Sequence, residues 1–270
     1  MKIFQSNHVS KRIDTKLILK DISLVIDHGE RIAIVGHNGS GKSSLLKLIC
    51  GLYEPSKGKL IRSTLKIGYV PEHFPENIRF TIMEYLLLLG KMSNKKQETL
   101  HKAIDNLARH FEIEAFLNTP LKNCSKGTKQ KAGIIQALLL DPKLLIMDEP
   151  LTGLDEKAQA ELLRQLSLLD STITIVFAVH DSFLVDNLAN RVITMENGKL
   201  IKDIVNEKKR LYRVITVSTE KSMLKEIAHL EIKDISDSIM EISVPSEESD
   251  TILALLLKKG CSILKLKEKR

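Results

Sequence analysis

The sequence predicts an α/β fold in which a parallel sheet is interrupted by a helical insertion and followed by a small, separate α+β domain. Three observations carry that prediction. The apolar strand Arg31 to Val35 runs through a glycine-rich turn into a helical pattern from Lys42 to about Cys50, a strand-turn-helix unit. The apolar runs Leu144 to Met147 and Thr174 to Val179 flank helical spacing at Leu162, Leu163, Leu166 and Leu169, and strand, helix, strand in that order implies parallel pairing. After Lys208 the rhythm changes to short alternating strands and two short helices.

Each element follows from its residues. Ile18 and Ser23 to Ile26 form an extended, β-branched segment that ends at the turn Asp27-His28-Gly29-Glu30. Between Thr81 and Leu140 the pattern is helical: Thr81 with Glu84 makes a capping box, and Leu100, Ala103, Ile104, Leu107 and Phe111 recur at helical spacing. Arg191 to Met195 and Lys199 to Asp203 surround Glu196-Asn197-Gly198, whose Asn-Gly pair signals a tight hairpin. Beyond it come a strand at Tyr212 to Val217, a helix at Lys221 to His229, strands near Ile232 and at Met240 to Val244, a helix at Asp250 to Lys259 and a strand at Ser262 to Leu266. That β-α-β-β-α-β order suits a ferredoxin-like unit. The expected domains are therefore 1–206, with the helical insertion at about 75–140, and 207–270.

Composition excludes several classes. With 43% hydrophobic and 28% charged residues in 270, the chain is neither collagen-like nor disordered. Its apolar runs are far shorter than the roughly 20 residues a membrane span needs, and Met1 to Arg12 has no apolar leader pattern, so the expected location is cytoplasmic. The net charge of +7 is spread along the chain, and with 4% aromatic residues and no Trp there is little on which to stack bases. No nucleic-acid partner is expected. Cys50, Cys124 and Cys261 fit no metal or disulfide spacing.

Gly36-His37-Asn38-Gly39-Ser40-Gly41-Lys42-Ser43 matches G-x-x-x-x-G-K-[ST] between a strand and a helix. The glycines let backbone N–H groups approach phosphate oxygens, and the helix adds its positive dipole end. Lys42 supplies a point charge for the β- and γ-phosphates, and Ser43, followed by Ser44, supplies a hydroxyl for Mg²⁺. Leu144 to Met147 then ends in Asp148-Glu149, a Walker B arrangement in which Asp148 holds Mg²⁺ and Glu149 polarises the attacking water.

Cys124-Ser125-Lys126-Gly127-Thr128-Lys129-Gln130 resembles the signature of ATP-binding cassette (ABC) ATPases, with C-S-K-G-T in place of the usual L-S-G-G-Q. Thr152-Gly153-Leu154-Asp155 looks like that family's D-loop, and His180 after a strand looks like its switch histidine. The resemblance spans Met1 to about Asn206. It implies a P-loop NTPase core with an antiparallel β subdomain and a helical subdomain. It also implies a dimer of cassettes, identical or not, in which ATP lies between one chain's Walker motifs and the other's Ser125, Gly127 and Asp155. Such a dimer drives a separate transmembrane permease from the inner face of the membrane. Ser125 caps the helix through Ile134, Ile135 and Leu138 on this reading.

Three departures from the pattern stand out. Glu72, after the strand Ile67 to Val70, replaces the usual glutamine beside Mg²⁺ and the attacking water, similar to antibiotic-immunity and some drug exporters. Lys126 replaces the first signature glycine, and Ile13 stands where an aromatic commonly stacks on adenine. The expected function is the ATPase subunit of an exporter. The alternative is a non-transport cassette acting on nucleic acid or the ribosome, although this chain has neither paired cassettes nor zinc motifs. A GTPase or small-molecule kinase leaves Ser125 and His180 unexplained. Phe74, Phe80, Ile82 and Tyr85 are expected to give the permease an apolar patch, or else to pack inside the insertion, an alternative that applies above all to Ile82 and Tyr85. In the last domain, Leu253, Leu255, Leu256 and Leu257 are expected to offer a twin a second apolar face, or the domain simply covers a sheet edge.

Overall fold

Strands β1 (Lys2–Ile13), β2 (Lys16–Asp27) and β4 (Lys57–Arg62) make an antiparallel sheet in the order β2-β1-β4. The computed structural model describes residues 1–93, 96–206, 212–219, 230–236, 238–245 and 249–269. Its second sheet has the order β5-β6-β7-β3-β8-β9, built from β5 (Ile67–Val70), β6 (Leu144–Asp148), β7 (Thr174–Val179), β3 (Arg31–Val35), β8 (Arg191–Glu196) and β9 (Lys199–Val205). Its first five strands are parallel and β9 is antiparallel to β8. Every residue of β6 and β7 is buried, as interior strands covered on both faces must be. The β8–β9 turn holds Asn197 and Gly198 at φ 49° and 81°, the conformation a tight hairpin requires.

Two apolar cores sandwich the parallel sheet. One packs the antiparallel sheet and helix α1 (Lys42–Ile49) against it through Leu19, Ile22, Leu45, Leu48, Ile146 and Val176. The other packs α2 (Ile82–Gly90), α3 (Gln97–His110), α4 (Lys126–Leu139) and α5 (Glu156–Leu168) through Leu86, Leu100, Ile135, Leu162 and Phe177. Each such side chain contributes roughly 1.5–3 kcal/mol on burial. The expected capping box at Thr81 and Glu84 is formed. The expected apolar patch is corrected in part: Ile82 is fully buried and Phe74 is 8% exposed, leaving Phe80 outside at 52%. Phe74 meets Tyr85 edge to face at 5.4 Å, and the Tyr85 hydroxyl donates to Gln136 Oε1. Burial raises that phenol to about 12. A short helix, α6 (Phe183–Asn187), follows His180.

The chain forms two compact units, Met1–Lys208 and Lys209–Arg270. The second has β10 (Tyr212–Ser218), β11 (Glu231–Ser236), β12 (Ile239–Pro245) and β13 (Ser262–Lys269), antiparallel in the order β11-β12-β10-β13. Helix α7 (Ser249–Lys258) packs Ile252 and Leu256 onto Ile215, Val217, Met240 and Ile242. Leu253 and Leu255 join that core and only Leu257 of the expected apolar face remains outside. Leu253 lies three residues before Leu256 and Leu255 three after Ile252, so both flank the core-facing stripe of the helix. The helix expected at Lys221 to His229 lies outside the described residues.

Candidate functional site

The end of β3 and the start of α1 build a phosphate-sized concavity that no larger side chains could form. A Cβ on Gly36 would lie 2.3 Å from the Met195 carbonyl oxygen and 2.8 Å from Ser40 Oγ. Gly39 and Gly41 have φ of 78° and 107°, which side chains disfavour. Gly41 caps α1 without a side-chain hydrogen bond, and the first turn carries no acid. The helix's free N–H groups are thus left for a ligand. Among the described residues the buried Ser40 Oγ has no hydrogen-bond partner.

Lys42 is 6% exposed and donates to the Gly36 carbonyl at 2.8 Å. Its Nζ lies 3.6 Å from Glu149 Oε1. Ser43 Oγ donates to Asp148 Oδ1 at 3.1 Å. Asp148 is 2% exposed; burial pushes its carboxyl above the ordinary range, the Ser43 hydroxyl opposes this, and neighbouring Glu72 and Glu149 push further up. Glu149 has φ 47°, a strained conformation for a residue with a side chain. Its backbone N–H donates to Ala178 O at 2.9 Å, and its Oε2 lies 2.7 Å from His180 Nδ1. One carboxylate is therefore held between an ammonium and an imidazole.

The cavity over these groups has a volume of about 460 Å³ and is lined by Lys16, Ile18, Asn38, Gly39, Gly41, Lys42, Ser43, Ser44, Glu72 and Glu149. An adjoining hollow adds Gly36, His37, Thr152 and His180. Glu72 sits at the rim of both. Ile13 is not among the lining residues; β1 ends there, and the strand that reaches the cavity is β2. Lys16 and Ile18 are the lining residues that sequence reasoning missed. Their one advance signal was the strand period that puts Lys16 and Ile18 on one side of β2. The donor set fits a magnesium ion, since Ser43 and Asp148 offer two hard oxygens and leave positions for phosphate oxygens and water.

The signature residues stand apart from this cavity. Ser125 Oγ accepts from the Thr128 N–H at 3.1 Å and caps α4. Asp155 Oδ1 accepts from the Ala158 N–H at 2.8 Å and caps α5. A Cβ on Gly127 would fall 2.5 Å from the Gly153 carbonyl oxygen, so the two loops touch backbone to backbone. Gln130 Nε2 donates to the Pro150 carbonyl at 3.3 Å, which ties α4 to the segment leaving Glu149. Ser125, Gly127 and Asp155 thus form a second, separate constellation.

With this geometry in place, comparisons with known proteins are informative. The family model described as ABC transporter matches residues 19–152. The Nod factor export ATP-binding protein I of Rhizobium johnstonii is 32% identical over 207 residues, covering 72% of this chain and 67% of its own. The sulfate/thiosulfate import ATP-binding protein CysA of Synechocystis is 30% identical over 206 residues, covering 72% and 58%. Among solved structures, a dimeric ATP-binding cassette in a post-hydrolysis state, bound to ADP and Pi, superposes with a TM-score of 0.68 at 25% identity, over 75% of this chain and 98% of that one.

Proposed function

The chain belongs to the ABC transporter ATP-binding proteins, and from that premise we propose that it powers export through a separate transmembrane permease, in a dimer with a second cassette. It is an ATPase of the cassette type. The observation that carries the site assignment is Glu149 held between Lys42 and His180 above the cradle. Lys42, the loop Gly36 to Gly41 and the N-terminus of α1 bind and neutralise the phosphates. Ser43 and Asp148 would hold Mg²⁺, which would supply positive charge to the phosphates. Glu149 orients and polarises the attacking water, and His180 fixes the Glu149 carboxylate while reaching toward the γ-phosphate. Glu72, which lines both hollows, would contribute a further carboxylate to that site.

Ser125, Gly127 and Asp155 do not line the cavity of their own cradle, and we assign them to the ATP held by the partner cassette. Among the described residues no helix is long and apolar enough to cross a membrane, and the permease supplies the path. The relatives include proteins named for export and one named for import. The exporter assignment rests on Glu72 and the Ser125-Lys126-Gly127 form of the signature. We assign 1–206 to nucleotide binding and 207–270 to a ferredoxin-like accessory unit that regulates or steadies the dimer. The test of the site is Glu149→Gln: nucleotide affinity should persist while turnover falls at least about 100-fold. An unchanged rate would reject the assignment.

A further inference from the structure

The Tyr85 hydroxyl lies outside the nucleotide cavity, and the contacts of its side chain converge on the segment that carries Glu72. From α2, the hydroxyl donates to Gln136 Oε1 of α4 at 2.6 Å, and Gln136 Nε2 in turn donates to the Tyr69 carbonyl at 3.5 Å. The Tyr85 ring meets Phe74 edge to face at 5.4 Å. Phe74 is itself seated on Gly133 of α4, where a Cβ would stand 3.1 Å from the phenyl ring. Tyr69 lies three residues before Glu72 and Phe74 two residues after it. One tyrosine, with one helix behind it, therefore grips the chain on both sides of Glu72. Between these two points Glu72 lines the nucleotide cavity and the hollow beside it.

Glu72 has little of its own to hold it. Its side chain is 45% exposed, and its ion-pair neighbour among the described residues is His73 at 4.0 Å, itself 75% exposed. The direction of that carboxylate is therefore set by the backbone on either side, which the contacts of Tyr85 and Gln136 fasten. Each residue type is needed for this. A tyrosine combines a ring for Phe74 with a donor for Gln136, and a glutamine amide accepts at one atom while donating from the other. Resting on the assignment of Glu72 to the nucleotide site, we propose that Tyr85 is a positioning residue for that carboxylate. Through Gln136 and Phe74 it fixes the segment 69–74 against α4 and sets where Glu72 stands over the cradle. Because α4 starts at the Ser125 cap, the same contacts fix Glu72 relative to the signature.

The experiment is a double-mutant cycle on the full chain between Tyr85→Phe and Glu72→Ala. It is read as the Mg²⁺ concentration that half-saturates binding of a fluorescent ATP analogue, with the melting temperature of the ligand-free protein measured beside it. Glu72→Ala alone should raise that concentration about tenfold, the low end of what a residue supporting a metal site contributes. Tyr85→Phe, which keeps the ring and loses the hydroxyl, should raise it about fivefold, the net contribution of one ordinary hydrogen bond. In the Glu72→Ala background the same change should shift it by less than about twofold, because the two residues act as one unit. Gln136→Leu breaks the same bond from α4 and should follow Tyr85→Phe in both backgrounds, so either variant carries the test. An equal shift with and without Glu72, or no shift with Glu72 in place whatever the melting temperature does, makes Tyr85 a packing residue and overturns the proposal. If Glu72→Ala itself leaves the Mg²⁺ dependence unchanged, the place of Glu72 in the site fails, and the inference with it.

Discussion

The two halves of the candidate site are built on opposite principles. Around Lys42 the polar groups are buried, strained or short of partners: Glu149 sits at φ 47°, Ser40 Oγ has no hydrogen-bond partner among the described residues, and the Asp148 carboxyl is buried and pushed above its ordinary range. Around Ser125 every comparable group is already satisfied, with Ser125 and Asp155 each capping a helix and Gly127 seated on the Gly153 carbonyl. Unsatisfied groups cost stability and persist where a ligand completes them. Satisfied ones are structural until something is brought to them. On the proposed reading the cradle takes a small molecule, and the signature is a preformed surface offered to the partner cassette.

That contrast fails or sharpens under substitution. The largest effect belongs to Lys42→Ala, which should lower MgATP affinity by about 100-fold, as loss of a buried charge-assisted hydrogen bond would; calorimetric titration reads it. A loss under threefold would mean the cradle is not anchored by Lys42. Next is Gly127→Ala, whose methyl must displace the Gly153 carbonyl. Overpacking of this kind costs about 1–3 kcal/mol, so the melting temperature should fall while ATP affinity of the single chain stays put. Ser125→Ala should cost about 1 kcal/mol as a lost cap. Ser125→Asp, which keeps a good cap, should melt like the wild type and yet lose ATP-driven association. The smallest effect on stability is expected of Asp148→Asn, which removes a buried carboxylate and should raise the melting temperature of the ligand-free protein slightly while Mg²⁺-dependent binding is lost. A lowered melting temperature there would put Asp148 on the structural side of the divide.

Much of this was legible in advance, and the boundary of legibility is physical. The phosphate loop, the acidic end of β6 and the hairpin at Asn197-Gly198 declare themselves because short-range backbone chemistry dictates their residues. Other features depend on pairs distant in sequence. Gly198 reads as a turn residue, but its part in clamping Ser40 to β2 rests on hydrogen bonds across more than a hundred positions. Lys16 and Ile18 carry no motif and become site residues only because β2 is registered there. Strand β1 was not foreseen as a continuous element, since its pattern is broken at His8, where φ is 51° and the chain bulges opposite Asp21. Phe74 looked like a surface residue beside Pro71 and Pro75. It is core because Gly133 of α4 leaves room for its ring, 3.1 Å from where a Cβ would stand.

The central claim is that one complete ATP site needs the cradle of one chain and the signature of another. Mixing two inactive variants tests it most directly. Lys42→Ala disables the cradle, and Ser125→Asp preserves the α4 cap while placing a carboxylate against the partner's phosphate. In a mixed dimer with shared sites, one composite site keeps an intact cradle and an intact signature. The account predicts that the mixture hydrolyses ATP although neither variant does so alone. A mixture in which the two variants demonstrably associate and turnover stays at the level of the separate proteins would contradict it.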